Sequence, residues 1–216
     1  MSLVALAGGL RAQNVDAILR RMDVAAPKFR AVTAEVEMTT YTAVIGDKTP
    51  ESGTLTMQRL PSGDVRAIID FSAQTDARKI AFLGKIVRIY YPKLNQYQDY
   101  EVGKNSDVLN QFLLLGFGSS GRELARSYDI SATGTEKIAG QDTTKLQLLP
   151  KDDKVKERLT RIEMWVPNEA AYPVQQKFYE PQGNYRNVSY SNIKLNPHIS
   201  GLLDLKLPPK AKRQAH

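Results

Sequence analysis

The chain has no cysteine and only two histidines, His198 and His216. Without cysteine there is no disulfide framework, no thiolate zinc site and no cysteine nucleophile. Two histidines cannot build a multi-histidine metal centre, and a Ser-His-Asp triad would have to draw on His198 in a proline-containing loop near the end. No glycine-rich phosphate loop, His-Glu-x-x-His or nucleophile elbow is present, so the reading is of a protein that is not an enzyme and needs no cofactor. No segment approaches the roughly 20 apolar residues of a membrane-spanning helix. Internal repeats, low-complexity blocks and linkers are also missing, which points to a single domain.

What is present is the composition of a globular protein: 216 residues, 42% hydrophobic and 25% charged, with a formal net charge of +7. A nucleic-acid interface would need that charge gathered on one face with stacking aromatics beside it. Instead the basic residues are spread along the chain and alternate with acids such as Glu35, Glu37, Asp70, Asp76, Asp152 and Asp153. The one dense group, Lys206, Lys210, Lys212 and Arg213, overlaps a basic tail over residues 209–216. It reads first as a solvated tail and second as a contact for an anionic membrane surface or acidic partner. At the other end, the small apolar run Leu3 to Leu10, with a candidate cleavage point after Ala12, reads as the end of a secretory signal. Residues 1–13 are therefore expected to be a signal-peptide remnant or a disordered N-terminus; a cytosolic N-terminal extension is the alternative.

Hydrophobic periodicity organises the rest. Asn14 is a candidate N-cap, followed by Val15, Ile18, Leu19, Met22, Ala25, Ala26 and Phe29 at three- and four-residue spacing, an amphipathic helix ended near Pro27. From residue 32 the period becomes two: Val32, Ala34, Val36 and Met38 share one face, and Thr33, Glu35, Glu37 and Thr39 the other. Further strands are expected over residues 53–60, 65–71, 79–83, 85–91 and 94–102, joined by short turns as in an antiparallel meander. Val108, Leu109, Phe112 and Leu113 return to helical spacing, and residues 122–127 allow another helical turn or two. Strand patterns resume over residues 128–133, 136–139, 143–149, 159–166, 173–180 and 185–193. A sheet of about ten or more strands curls, closes or needs a cover, and the helical stripes are the natural cover.

One residue departs from the pattern. In the strand from Gly53 to Arg59, period two puts Arg59 on the face of Leu55 and Met57. A guanidinium there either finds acceptors, such as helix-end carbonyls or an acidic ligand group, or snorkels to water at the rim. Spacing alone leaves both readings open.

Several weak motifs, in order, carry a resemblance: Gly53-x-Leu55-x-x-x-Arg59; Gly84-Lys85-Ile86-Val87-Arg88-Ile89-Tyr90-Tyr91-Pro92 with Asn95-Gln96; Glu136-Lys137-Ile138-Ala139-Gly140 followed by residues 146–150; Trp165-Val166; Tyr172-Pro173-Val174; Phe178-Tyr179-Glu180-Pro181-Gln182-Gly183-Asn184-Tyr185; and Leu203-Asp204-Leu205-Lys206-Leu207-Pro208. Together they resemble the bacterial outer-membrane lipoprotein carrier and sorting family (LolA-like), over nearly the whole chain after Gln13. The resemblance implies a mainly β fold, an incomplete antiparallel β-barrel with helices as a lid over an apolar cavity, spanning residues 14–208. It implies a periplasmic protein that carries acyl chains of lipoproteins or lipids between an inner-membrane donor complex and an outer-membrane acceptor, as a monomer. It assigns Arg59 the role of locking the lid, although Leu60 separates it from Pro61 where carriers commonly have proline directly. The ligand-binding residues expected are Ile18, Leu19, Met22, Val36, Met38, Leu55, Met57, Ile69, Phe71, Phe112 and Leu113, and the same aliphatic set also suits a filled core. The second functional reading is a sensor of the same fold that signals ligand occupancy to a membrane-protein partner.

Overall fold

The computed structural model describes residues 5–71, 76–101 and 115–214, with side chains of the first helix from residue 15 onward. Among the described residues, the strands are β1 (Ala31–Thr42), β2 (Asp47–Arg59), β3 (Val65–Asp70), β4 (Lys79–Leu83), β5 (Ile86–Tyr91), β6 (Gln96–Glu101), β7 (Tyr128–Ile138), β8 (Gln141–Pro150), β9 (Arg161–Pro167), β10 (Gln175–Tyr179), β11 (Tyr185–Leu195) and β12 (Lys212–Arg213). Three α-helices accompany them: α1 (Ala5–Ala25), α2 (Gly121–Ser127) and α3 (Asp153–Lys156). The strands hydrogen-bond in the order β12-β6-β5-β4-β3-β2-β1-β11-β10-β9-β8-β7. The two ends of that order, β12 and β7, are not paired with each other, so the ladder is open rather than closed, as an incomplete barrel requires. The large, mostly antiparallel sheet with few helices is the fold class expected from the periodicity.

The chain divides into two compact units. The first comprises Met1–Lys28, Met38–Pro50 and Gly116–Tyr190, and the second Phe29–Glu37, Glu51–Leu115 and Ser191–His216, so that β1, β2 and β11 contribute residues to both.

In the first unit, β7 to β11 form an antiparallel meander in which Gln176 stands opposite both Met164 and Val188. One face carries Leu146, Leu148, Ile162, Met164, Val166 and Phe178, all buried. The other face of β9 is covered too: Glu163 and Trp165 are buried, with Lys145 Nζ 4.9 Å from the Trp165 ring centroid and 3.2 Å from Glu163. α1 packs against β7 and α2, with Val15, Ile18 and Met22 buried at three- and four-residue spacing and Ala26 of the following 3-10 turn continuing the row.

In the second unit, β2 to β6 are an antiparallel meander with regular register. Gly53 is required by close approach: a Cβ there would stand 2.3 Å from the Asp70 carbonyl oxygen and 2.9 Å from the Phe71 ring. This gives a physical reason for the glycine that opens the Gly53 to Arg59 motif. Cross-strand neighbours set two faces. Leu55, Met57, Val65, Ala67 and Phe71 share one. On the other, Ala81 and Tyr90 are buried with Leu205, and Ile68, Leu83, Tyr97, Leu207 and Ala211 pack around them. The C-terminal segment is tied to this second face by Gln58, which donates to the Gly201 carbonyl at 3.0 Å and accepts from Leu203 N at 2.7 Å.

Three local expectations are corrected. The first helix begins at Ala5, and Asn14 lies inside it. The Ala, Leu, Arg and Gln before it are good helix formers, and an interior asparagine costs under about 0.7 kcal/mol, too little to force a start there. Residues 128–133 and 136–139 are one strand, β7, with a register shift between Ala132 and Gly134 instead of a turn. The basic tail is not simply solvated, because Lys212 and Arg213 pair in parallel with Gln96 and Tyr97 of β6. Side-chain amides hold it there, Gln98 donating to Gln214 at 2.9 Å and Gln214 donating to Gln96. The helix expected around Val108 to Leu113 lies outside the described residues.

One ion pair ties β5 to β6. Arg88 donates through Nε and Nη2 to the two carboxylate oxygens of Asp99 at 2.6 and 2.8 Å, and its guanidinium lies 4.8 Å from the centroid of the Tyr97 ring. The bond from Arg88 is the main cause holding the Asp99 carboxyl below its ordinary range, against desolvation that would raise it. Asp99→Asn is expected to cost about 1 to 3 kcal/mol at neutral pH. Since the folded-state pKa lies below the unfolded one, the stabilisation is present above about pH 4 and fades as pH falls through the folded value. Urea unfolding of both proteins at pH 7 and pH 3 measures this: the gap should shrink at pH 3, and a gap of unchanged size would contradict it.

Candidate ligand-binding site

The expected ligand-binding residues fall in both units. In the first, Ile18 and Met22 of α1 are 2% and 1% exposed, while Leu19 and Met38 are partly exposed. In the second, Val36, Leu55, Met57 and Phe71 are buried and Ile69 is partly exposed. Cross-strand pairing puts Leu55 opposite Ile69, so these two share a face as period two required. Phe112 and Leu113 lie outside the described residues.

The position of α1 in its unit depends on one glycine. A Cβ on Gly121 would stand 2.3 Å from the Leu19 carbonyl oxygen and 2.7 Å from the Leu19 Cα, so only glycine lets the start of α2 lie on the α1 backbone. That contact is reinforced at the α2 N-terminus. Ser120 and Glu123 form a reciprocal capping box, and the Asp23 carboxylate accepts from Arg122 N at 3.1 Å. Farther along α1, Arg21 Nε donates to the Ala170 carbonyl at 3.0 Å, beyond the end of β9. The N-terminal helix is thus fastened by its apolar stripe and by polar contacts at its far end.

Within the apolar face of the first unit stands a polar pair that sequence reading did not single out. Gln176 is 2% exposed and accepts a hydrogen bond from the Tyr190 hydroxyl at 2.8 Å. Burial pushes the Tyr190 phenol above its ordinary pKa, so it stays protonated and able to donate. Phe117 packs against the tyrosine of this pair: its ring is edge-on to Tyr190 at 5.0 Å and stacked on Tyr172 at 6.0 Å. The available signal was the glutamine in the alternating row Val174, Gln176, Phe178, opposite in character to Arg59 but equally out of pattern.

Arg59 behaves as the periodicity required and ends between its two readings. Opposite Val65, it sits on the apolar face, partly exposed, with its guanidinium carbon 5.4 Å from the centroid of the Phe29 ring. Its backbone N–H donates to the Arg30 carbonyl at 2.8 Å. Within the second unit the end of β2 is therefore bound to the segment that follows the 3-10 turn Ala26–Lys28, through both backbone and side chain.

Among the described residues there is no group of three His, Asp or Glu side chains able to hold a metal ion, and no helix is long and apolar enough to cross a membrane. The first unit offers an apolar face with a buried hydrogen-bonding pair, and the second an apolar face that ends at the partly exposed Arg59; each, by itself, is chemistry suited to non-covalent contact with apolar groups.

Comparison with known proteins gives a family model, described as "-like: Uncharacterized protein", that matches residues 63–199. No curated protein matches by sequence. Among solved structures, MucB aligns at 12% identity and a TM-score of 0.52, over 87% of this chain and 61% of MucB, so this chain spans less than two thirds of that protein. An uncharacterized conserved protein from Thermus thermophilus aligns at 12% identity and a TM-score of 0.50, over 94% of this chain and 97% of that one. A putative outer membrane lipoprotein-sorting protein domain from Vibrio parahaemolyticus aligns at 15% identity and a TM-score of 0.47, over 89% and 95%. These are likenesses of fold alone, and MucB and the Thermus thermophilus protein carry the comparison.

A double-mutant cycle tests the Arg59 and Phe29 contact. Arg59→Leu and Phe29→Leu should each lower stability, and the double variant should lose less than their sum, with a coupling of about 0.5 to 1 kcal/mol. Urea unfolding of the four proteins measures the coupling; strict additivity would remove the contact from the account of the site.

Proposed function

The chain belongs to the family whose model matches residues 63–199, and from that premise we propose that it is a periplasmic carrier that binds acyl chains of lipoproteins or lipids on its apolar faces and hands them towards the outer membrane without making or breaking bonds. The observation that carries this reading is the apolar face of the first unit, a row of buried side chains on a sheet that is packed by α1 and α2 along β7. Burying hydrocarbon there gains about 0.8 kcal/mol per methylene, so a few methylenes already give useful affinity. Ile18, Leu19, Met22 and Met38 in the first unit, with Val36, Leu55, Met57, Ile69 and Phe71 in the second, are the side chains assigned to contact cargo. Arg59 is assigned to holding the empty state closed. Release then needs only an acceptor with a better-fitting site, and the donor and acceptor are membrane-bound components of a sorting route.

Native mass spectrometry of gently purified protein, followed by solvent extraction, is the direct test. Bound acylated molecules are the expected result, and a titration with a fluorescent palmitoyl probe should saturate at one site. Protein that arrives empty and takes up no probe would end the carrier reading. Arg59→Leu should alter the rate of probe release to acceptor vesicles, and release identical to wild type would free Arg59 from that role.

A further inference from the structure

Phe117 enters the apolar face of the first unit from a turn, not from a strand or a helix. It is 2% exposed, yet the residues on either side are glycines with left-handed backbone, Gly116 at φ +91 and Gly118 at φ +94. A Cβ on Gly116 would lie 2.6 Å from both Cδ and Cγ of Pro173, and 3.3 Å from Gln176 Nε2. The turn is therefore pressed against the loop before β10 and against the polar pair, in a conformation that only glycine adopts without strain. A phenylalanine between two such glycines has a hinge on each side. Its ring packs edge-on against Tyr190, the donor to Gln176, and stacks on Tyr172. An amide and a phenol buried in an aliphatic face are costly to desolvate and add little to packing. They do match the one polar group that an acyl chain carries, the carbonyl of its amide or ester, to which the Gln176 amide N–H is able to donate while the Tyr190 hydroxyl, donating to Gln176 Oε1, fixes the orientation of that amide.

We propose that the place filled by Phe117 is the seat of a long acyl chain whose amide or ester carbonyl is read by Gln176, held in orientation by Tyr190, with Phe117 as the plug of the empty protein. The inference rests on the carrier reading and deepens it, by fixing where the chain lies and what polar group it bears. Burying a phenylalanine side chain is equivalent to burying about two to four methylene groups, so chains must exceed that length before they displace the ring. Swinging the turn about Gly116 and Gly118 leaves the sheet ladder of β8 to β11 untouched.

The test is equilibrium binding of two fluorescent probes, an N-palmitoyl amide and a plain long-chain alkane, to the intact chain. Phe117→Ala should bind the palmitoyl amide about threefold to tenfold more tightly than wild type. Phe117→Trp, which keeps the seat filled should the alanine variant fold poorly, should bind more weakly and show a shift in tryptophan emission as the probe enters. Gln176→Leu should bind the alkane as well as wild type but lose most of the preference for the amide. If wild type binds the amide and Phe117→Ala binds it no better while Phe117→Trp emission stays unmoved, the plug is overturned and the carrier reading stands. If neither probe binds any of the proteins, the carrier reading fails and this inference fails with it.

Discussion

Leu19 and Gly121 meet at a distance that no side chain tolerates, and the helical side of the first unit depends on that contact. With the Leu19 carbonyl oxygen 2.3 Å from the point a Cβ would occupy, α2 is laid on the backbone of α1 and not merely on its side chains. The Ser120 capping box and the Asp23 carboxylate then satisfy N–H groups at the start of α2 that would otherwise lack partners. With α2 so placed, Leu124 is buried and β7 follows immediately, so the strand on which α1 packs is delivered by the same short helix. A larger residue at 121 would have to move either a carbonyl or a whole turn.

Most strands were legible from the sequence because their period-two alternation is a direct consequence of one face being buried. The span over residues 79–83 was read with its observed limits, and Leu55, Met57 and Arg59 share the face that alternation assigned them. Elements governed by something other than burial were harder to read. Gly8 and Gly9 weaken a helix before Asn14 but do not end it, and no proline interrupts the stretch, so α1 extends to Ala5 past a plausible cap. The register shift in β7 is absorbed by one extra residue near Thr133, and two strand patterns separated by a shift look like two strands separated by a turn. The parallel pairing of Lys212 and Arg213 is carried by backbone and by glutamine amides, neither of which leaves a hydrophobic signature.

Of the candidate site, the aliphatic residues were legible as a face and the first helix as an amphipathic stripe, but the turn that carries Phe117 was not. Phe117 sits in a Gly-Phe-Gly stretch that reads as an interruption, since glycine pairs mark turns and turns are usually on the surface. Only the packing shows the ring 2% exposed. Gln176 was hidden for the opposite reason: one polar residue in an inward row is indistinguishable by spacing from a strand twist or an edge position. Arg59 lay between these cases, because its face follows from period two whereas its contact with Phe29, thirty residues away in sequence, follows from tertiary structure.

The apolar face of the first unit has an order in which it can open. In the first unit the ladder from β7 to β11 is cooperative, with each strand held on both sides by its neighbours except at β7. The polar contacts that fasten its cover are few by comparison, such as the Arg21 bond to the Ala170 carbonyl and the Asp23 bond to Arg122, each contributing about 1 to 3 kcal/mol at most. Trp165 adds to the difference, because it is buried on the opposite face of β9 with Glu136 and Lys145, so parting the strands would expose both faces at once. Displacing the cover of this unit therefore meets less resistance than separating its strands. The cover also contains the glycines that can turn without strain, so the weakest part of the unit coincides with the part best able to move.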